Sequence, residues 1–194
     1  MRIVRNRRGF TLVEVVVVAG IIAILAGVLV PLIFNQIDES KIAKAQGDMK
    51  SIQNSIMLFR RDTGVWPERT SLNIPGVTLL YSDSKSTNVP PIPVITSLGW
   101  NTTTPQKLSD HLKADTNGAY GPNWKGPYMN STDPDPWGNA YIVNADQFSG
   151  TGPIWILSPG PDGVVQTSID LTPGANNVCA DTNNGGDDIC LRLR

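Results

Sequence analysis

Apolar and polar positions divide this chain into two unlike parts. From Val15 to Phe34, twenty consecutive residues carry no charge, and Val, Ile and Leu dominate. At 1.5 Å per residue a helix of that length crosses a bilayer core of about 30 Å. The period then changes. Ile42, Ala45, Met49, Ile52, Ile56 and Phe59 recur at spacings of 3, 4, 3, 4 and 3, which marks one face of a helix. Lys41, Lys44, Asp48, Lys50, Gln53 and Arg60 fall between them and predict a solvated face. Gly64 after Asp62-Thr63 is a C-terminal stop, and Pro67 bars continuation. The pattern predicts one helix from Phe10 to Arg61, roughly 75–80 Å long at 1.5 Å per residue. It is apolar on all sides at first and amphipathic afterwards. Pro31 is expected to bend it or melt it locally. The stripe is expected to dock a globular domain rather than a partner helix.

Past Gly64 the signals are shorter. Val77-Thr78-Leu79-Leu80-Tyr81 is strand-like, Pro90, Pro91 and Pro93 predict a stiff extended loop, and Pro105 to Leu112 predicts a short helix. Turn residues Asp133-Pro134-Asp135-Pro136-Trp137-Gly138-Asn139 precede Ala140-Tyr141-Ile142-Val143. Ile154-Trp155-Ile156-Leu157 follows after a second turn cluster, so an antiparallel hairpin or meander is expected. Three or more strands on the helical stripe make a stable α+β unit. His111, the only histidine, has no acid or nucleophile at a working spacing and is read as a surface residue. The sequons at Asn101 and Asn130 are weak signals.

Charge orients the chain. Arg2, Arg5, Arg7 and Arg8 precede the apolar run with no acid among them. Removing these four from a net charge of −1 leaves −5 for the remainder. Basic residues flanking an apolar segment stay cytoplasmic, which places the soluble part outside. An acidic domain with no basic stripe argues against nucleic-acid binding. The two cysteines, Cys179 and Cys190, read as a disulfide in an exported domain, and as free thiols in a reducing compartment.

A secretory signal does not account for the N-terminus. Its apolar core is usually 7–15 residues, and Ala43-Lys44-Ala45 lies beyond Asp38, Glu39 and Lys41. Nor does a plain anchor explain Glu14, since an acid at a bilayer centre costs roughly 2.5–3.5 kcal/mol on insertion scales. Arg7-Arg8-Gly9-Phe10-Thr11-Leu12-Val13-Glu14 resembles the class III signal peptides of type IV pilins and type II secretion pseudopilins. The resemblance implies cleavage between Gly9 and Phe10 by a prepilin peptidase, which also N-methylates Phe10. Pro31 matches a kinking proline of that family. Glu14 is implied to meet the new N-terminal amine of a neighbouring subunit in a helical filament. A charge left unpaired in a low-dielectric core is costly, so the pairing specifies register.

Further motifs carry the same resemblance. Gly126-Pro127-Tyr128, the Asp135-to-Asn139 turn with Tyr141, and a strand leading to Ser158, Gly160, Asp162 and Gly163 look like the major pseudopilins of type II secretion. The likeness covers residues 10–64 and 126–163. It implies the pilin-like fold: α+β, a long N-terminal helix packed on a small antiparallel sheet. The expected organisation is a cleaved leader at 1–9, a transmembrane and filament-core helix at 10–34 and its amphipathic continuation at 35–64. A globular domain follows at 65–194, with a variable region at 65–125, a sheet at about 126–158 and acidic loops at 159–194.

Those loops hold Asp162, Asp170, Asp181, Asp187 and Asp188. Clustered carboxylates suit Ca²⁺, though they equally describe a solvated acidic loop. An EF-hand is excluded, because position 12 counted from Asp181 is Arg192. The resemblance implies a Ca²⁺ site built from the Leu157 carbonyl and the carboxylates of Asp162, Asp187 and Asp188, with a Cys179–Cys190 bridge sharing or replacing its role. It further implies a non-enzymatic subunit of a periplasmic pseudopilus, held by the inner membrane with its N-terminus cytoplasmic. The implied partners are copies of itself, the prepilin peptidase and methyltransferase, an inner-membrane assembly platform and minor pseudopilins. The competing reading is a type IV pilin of a surface fibre. A membrane-anchored enzyme lacks any nucleophile–base or metal-hydrolase spacing, and would not need Gly9-Phe10 or Glu14.

Overall fold

A computed structural model of the protein describes residues 9–85, 92–169 and 186–194. Two compact units make up the chain, one ending at Ser40 and the other beginning at Lys41. Helix α1, Leu12–Thr63, belongs to both. It runs unbroken across Pro31, so the expected local melting does not occur. Its stop follows the sequence: Gly64 takes φ +76° and its N–H donates to the Arg60 carbonyl at 2.9 Å. The Thr63 hydroxyl donates to the Phe59 carbonyl at 2.8 Å. Arg60 and Arg61 complement the negative end of the helix dipole.

The first unit is the apolar part of α1, whose side chains from Val15 to Phe34 are exposed wherever described. It is the one helix among the described residues long and apolar enough to cross a membrane.

The second unit is α+β, as expected. After α1 come a small antiparallel hairpin of β1 (Arg69–Ser71) and β2 (Ile74–Pro75), then β3 (Leu79–Tyr81), α2 (Ile92–Ser97), β4 (Pro105–Lys107) and α3 (Ser109–Leu112). The chain continues through β5 (Ile142–Val143), β6 (Trp155–Ser158) and β7 (Ile189–Arg192). Five strands form one sheet in the order β4-β3-β5-β6-β7. Alternation along the strands decides its two faces. Leu80, Val143 and Ile156 point to the helix side and join Ala45, Met49, Ile52, Ile56 and Phe59 of the stripe. Leu79, Ile142, Trp155 and Leu157 point the other way and pack with Ile95, Trp100 and Val165.

Several expectations need correction. Ile42 is 40% exposed and stands outside the docked stripe. Asp48 is not simply solvated, because its carboxylate accepts the Tyr141 hydroxyl at 3.1 Å. The sheet is not purely antiparallel, since β3 and β4 pair in parallel. The predicted helix at Pro105 to Leu112 begins instead as that parallel strand, because its backbone completes the β3 edge. Strand β7 lies inside a stretch read as loops, where four residues too short to show a period pair fully with β6.

His111 is the largest departure. It is 1% exposed rather than on the surface. Its Nδ1 lies 2.7 Å from the Tyr120 hydroxyl, and its Nε2 is buried without a partner. Trp124 donates its indole N–H to the His111 carbonyl at 2.9 Å, and Tyr120 meets Phe59 edge-to-face at 4.7 Å. Burial pulls the imidazole down to about 4 against the weaker opposing pull of Asp110 and Asp115.

Candidate functional site

Two sets of residues carry the chemistry, one in each unit. At the start of α1, Gly9 and Phe10 are exposed non-helical backbone. A Cβ at Gly9 would meet nothing within 4 Å, so the peptide bond stands clear. Helix begins at Leu12 because Thr11 caps it. The Glu14 Oε2 accepts the Thr11 N–H at 2.8 Å and its hydroxyl at 2.9 Å. In return the Glu14 N–H donates to Thr11 Oγ1 at 3.3 Å. This reciprocal pair is a capping box, and an N-cap hydroxyl of this kind stabilises a helix by about 1 kcal/mol. The sequence reading assigned Glu14 to a neighbour's amine and overlooked this local use. The signal was present: Thr, two residues, then Glu, ahead of an apolar run. Phe10, Val15, Val18 and Ile22 form an apolar hollow with Glu14 at its edge.

In the second unit the two motifs singled out from the sequence meet. Asp135 is 3% exposed and anchors them. Its Oδ1 accepts the N–H groups of Trp137 at 3.0 Å and Asn139 at 2.7 Å, and its Oδ2 accepts the Ser158 hydroxyl at 2.7 Å. Asn139 then donates its amide to the Gly160 carbonyl at 2.9 Å. Gly160, at φ +70°, is pressed against the chain at Asp187: a Cβ there would collide with the Asp187 carbonyl oxygen. Only glycine fits both constraints.

This contact brings Asp162, Asp187 and Asp188 into one loop cluster. The Asp162 N–H donates to Asp187 Oδ2 at 3.2 Å. Asp162 itself accepts the Val164 N–H at 2.7 Å and the Gln166 amide at 2.6 Å. Asp188 Oδ2 accepts the N–H of Gln166 at 2.9 Å, and the N–H and hydroxyl of Thr167 at 2.7 and 2.6 Å. Burial nevertheless raises the Asp188 carboxyl above its ordinary value, with the Asp187 charge adding to the effect. Three oxygens stay buried without a partner: Asp187 Oδ1, Asp188 Oδ1 and Gln166 Oε1. Orphaned carboxylate oxygens fit an oxygen-seeking cation in donor type. Leu157, the fourth expected ligand, lies in the ladder between Ile142 and Cys190 with its side chain in the core. Among the described residues no group of three His, Cys, Asp or Glu side chains is arranged to hold a metal. Gln166 and Thr167 were missed from sequence, because neither polar side chain stands out beside the acids. Cys190, on β7, is not a free thiol, and Cys179 lies outside the described residues, as do Asp170 and Asp181.

Comparison with known proteins bears on both sets. Residues 4–30 match the prokaryotic N-terminal methylation motif. Residues 100–172 match the protein G family of the type II secretion system. Both matches point to the same likeness, that of the type II secretion pseudopilins. The chain is 29% identical over 161 residues to the type II secretion system core protein G of Pseudomonas aeruginosa, covering 82% of this chain and 87% of that one. The corresponding protein of Escherichia coli K12 is 28% identical, covering 89% of this chain and 94% of its own. For that of Vibrio cholerae the identity is 26%, over 88% and 94%. No solved structure matches the chain. The methylation-motif match contains Gly9, Phe10, Thr11 and Glu14. The second reaches back to Trp100, into a region the motifs left unmatched, and contains Asp135, Asn139 and Asp162. It ends before Asp187 and Asp188.

Proposed function

We propose that this protein is a structural subunit of a type II secretion pseudopilus, polymerising to help export folded proteins across the outer membrane. The observation that carries this reading is the coincidence on one chain of the methylation motif with a protein G domain. An unpartnered Val-rich helix with one acid near its start suits a filament core better than a lone anchor. In this reading a prepilin peptidase cuts between Gly9 and Phe10 and methylates the Phe10 amine. The N-terminus faces the cytoplasm and the folded domain the periplasm. An inner-membrane assembly platform then adds subunits, and minor pseudopilins are further partners. The role is structural rather than enzymatic.

Glu14 would have two successive uses. Before assembly the Thr11 donors satisfy its carboxylate and the helix start is capped. In the filament a neighbour's Phe10 amine becomes an alternative partner of opposite charge. The exchange keeps an acid in an apolar segment partnered throughout.

In the acidic loops, Asp162, Asp187 and Asp188 would hold Ca²⁺, with the Leu157 carbonyl as a further oxygen. When bound the ion supplies charge neutralisation and cross-links the loop at 158–163 to the chain at 187–188. The Asp188 and Asp187 oxygens without partners support this. A Cys179–Cys190 disulfide would close the same region covalently.

The test is Glu14→Ala. The variant should be processed and membrane-held yet assemble poorly, and normal filaments from it would sink the reading. Calcium is tested by melting the full chain in detergent with and without chelator, where an unchanged midpoint counts against the site.

A further inference from the structure

We propose that Gln166 is itself a ligand of the calcium site, supplying its side-chain Oε1 together with the Asp187 and Asp188 carboxylates. The proposal rests on the calcium reading above and adds a residue to that site. The acids alone fall short: among the described residues no three His, Cys, Asp or Glu side chains are arranged to hold a metal. Ca²⁺ takes about 6–8 oxygens, and Asn or Gln carbonyls serve as well as carboxylates. A neutral side-chain oxygen is therefore the kind of ligand the loop still needs.

Hydrogen bonding decides which atoms remain for an ion. Both Asp162 oxygens are occupied, Oδ1 by the Val164 N–H at 2.7 Å and Oδ2 by the Gln166 amide at 2.6 Å. Asp187 Oδ2 accepts the Asp162 N–H, and Asp188 Oδ2 accepts three donors from Gln166 and Thr167. The oxygens left over are Asp187 Oδ1, Asp188 Oδ1 and Gln166 Oε1, each buried without a partner. Among the described residues no Lys or Arg pairs with Asp162, Asp187 or Asp188. Three buried acceptors on one hydrogen-bonded network, with no cation among them, are short of positive charge.

The Gln166 amide has one workable orientation. Its Nε2 donates to a carboxylate oxygen, and the reverse orientation would set Oε1 against that same oxygen, acceptor against acceptor. Oε1 is thereby kept off Asp162 and left to accept elsewhere. The residue is also held on both sides. Its N–H donates to Asp188 Oδ2 at 2.9 Å, so it ties Asp162 to Asp188 across twenty-six residues of chain. Val165 before it is buried in the core on the far face of the sheet. Thr167 after it is buried too, and its carbonyl accepts the Trp100 indole N–H at 2.9 Å. A side chain fixed in this way is preorganised and loses little freedom when an ion binds. The donor set is all oxygen, which selects a hard cation, and an irregular loop suits Ca²⁺ better than the octahedral demand of Mg²⁺.

The experiment is calorimetric titration of the full chain in detergent with Ca²⁺ alone, after chelator treatment, alongside melting with and without the ion. Gln166→Ala should weaken Ca²⁺ binding about tenfold. Gln166→Glu separates a ligand from a brace, because it keeps an oxygen for the ion, loses the Nε2 donor and sets a carboxylate against Asp162. A ligand role predicts affinity within about threefold of the unsubstituted chain, with a lower melting midpoint in chelator that Ca²⁺ restores. Binding by Gln166→Glu as weak as by Gln166→Ala would show that the amide acts only by bracing Asp162, and would overturn the proposal. Gln166→Ala binding as tightly as the unsubstituted chain would overturn it too and leave the calcium reading standing. No binding by the unsubstituted chain would remove the calcium reading, and the Gln166 ligand with it.

Discussion

Acidification should destabilise the globular unit through His111, by an amount the structure sets. The buried imidazole meets the Tyr120 ring edge-on at 5.8 Å, and no solvent reaches Nε2. Tyr120 already accepts the Arg69 N–H at 3.3 Å, so its own proton is free to be donated to Nδ1. The neutral ring thus accepts at Nδ1, the position a second proton would need. Unfolded, the group titrates near 6.5, and folded near 4. Between those values the unfolded chain holds a proton that the folded chain does not, so stability falls as pH falls. Each pH unit is worth about 1.4 kcal/mol, and over roughly 2.5 units the loss is about 3 kcal/mol. Above pH 6.5 the group has no effect, and below pH 4 the loss is complete. A loss of that size is a large fraction of the 5–15 kcal/mol typical of a domain. Asp146 and Asp188, both raised by burial, titrate with the opposite sign, so a single pH curve would mix the terms. The difference from His111→Gln removes them. Urea unfolding of the full chain in detergent, followed by tryptophan fluorescence from pH 7.5 to 4.5, gives both curves. The native protein should lose ground to the variant at about 1.4 kcal/mol per unit below pH 6.5. Parallel curves would refute the assignment.

The remaining predictions concern the loop framework. Asp135→Ala should cost about 3 kcal/mol in urea unfolding, because it strands buried donors on Asn139 and Ser158 and unties β6 from the turn. Gly160→Ala should destabilise by about 2 kcal/mol and open the segment at 187–188 to limited proteolysis, since a Cβ meets backbone rather than a movable side chain. An unaltered cleavage pattern would show that this close approach is not needed.

Much of this protein was legible without its fold. The apolar run, the 3–4 stripe and Gly64 sufficed for α1, because helix periodicity and chain stops are local physics. The Arg7-to-Glu14 motif marked the N-terminal site for the same reason: its parts are neighbours in sequence. Even the capping box at Thr11 and Glu14 was open to inspection there. What tertiary structure decided were the contacts between distant segments. Ile189–Arg192 is a strand only because β6 offers it a partner. Pro105–Lys107 is a strand only because β3 does. His111 is buried with its ring against Tyr120, and no spacing around residue 111 encodes that. Asp162 and Asp188 come together through Gly160 lying against Asp187, twenty-seven residues away in the chain. Period and caps are written residue by residue, whereas desolvation and long-range pairing exist only once the chain has closed on itself.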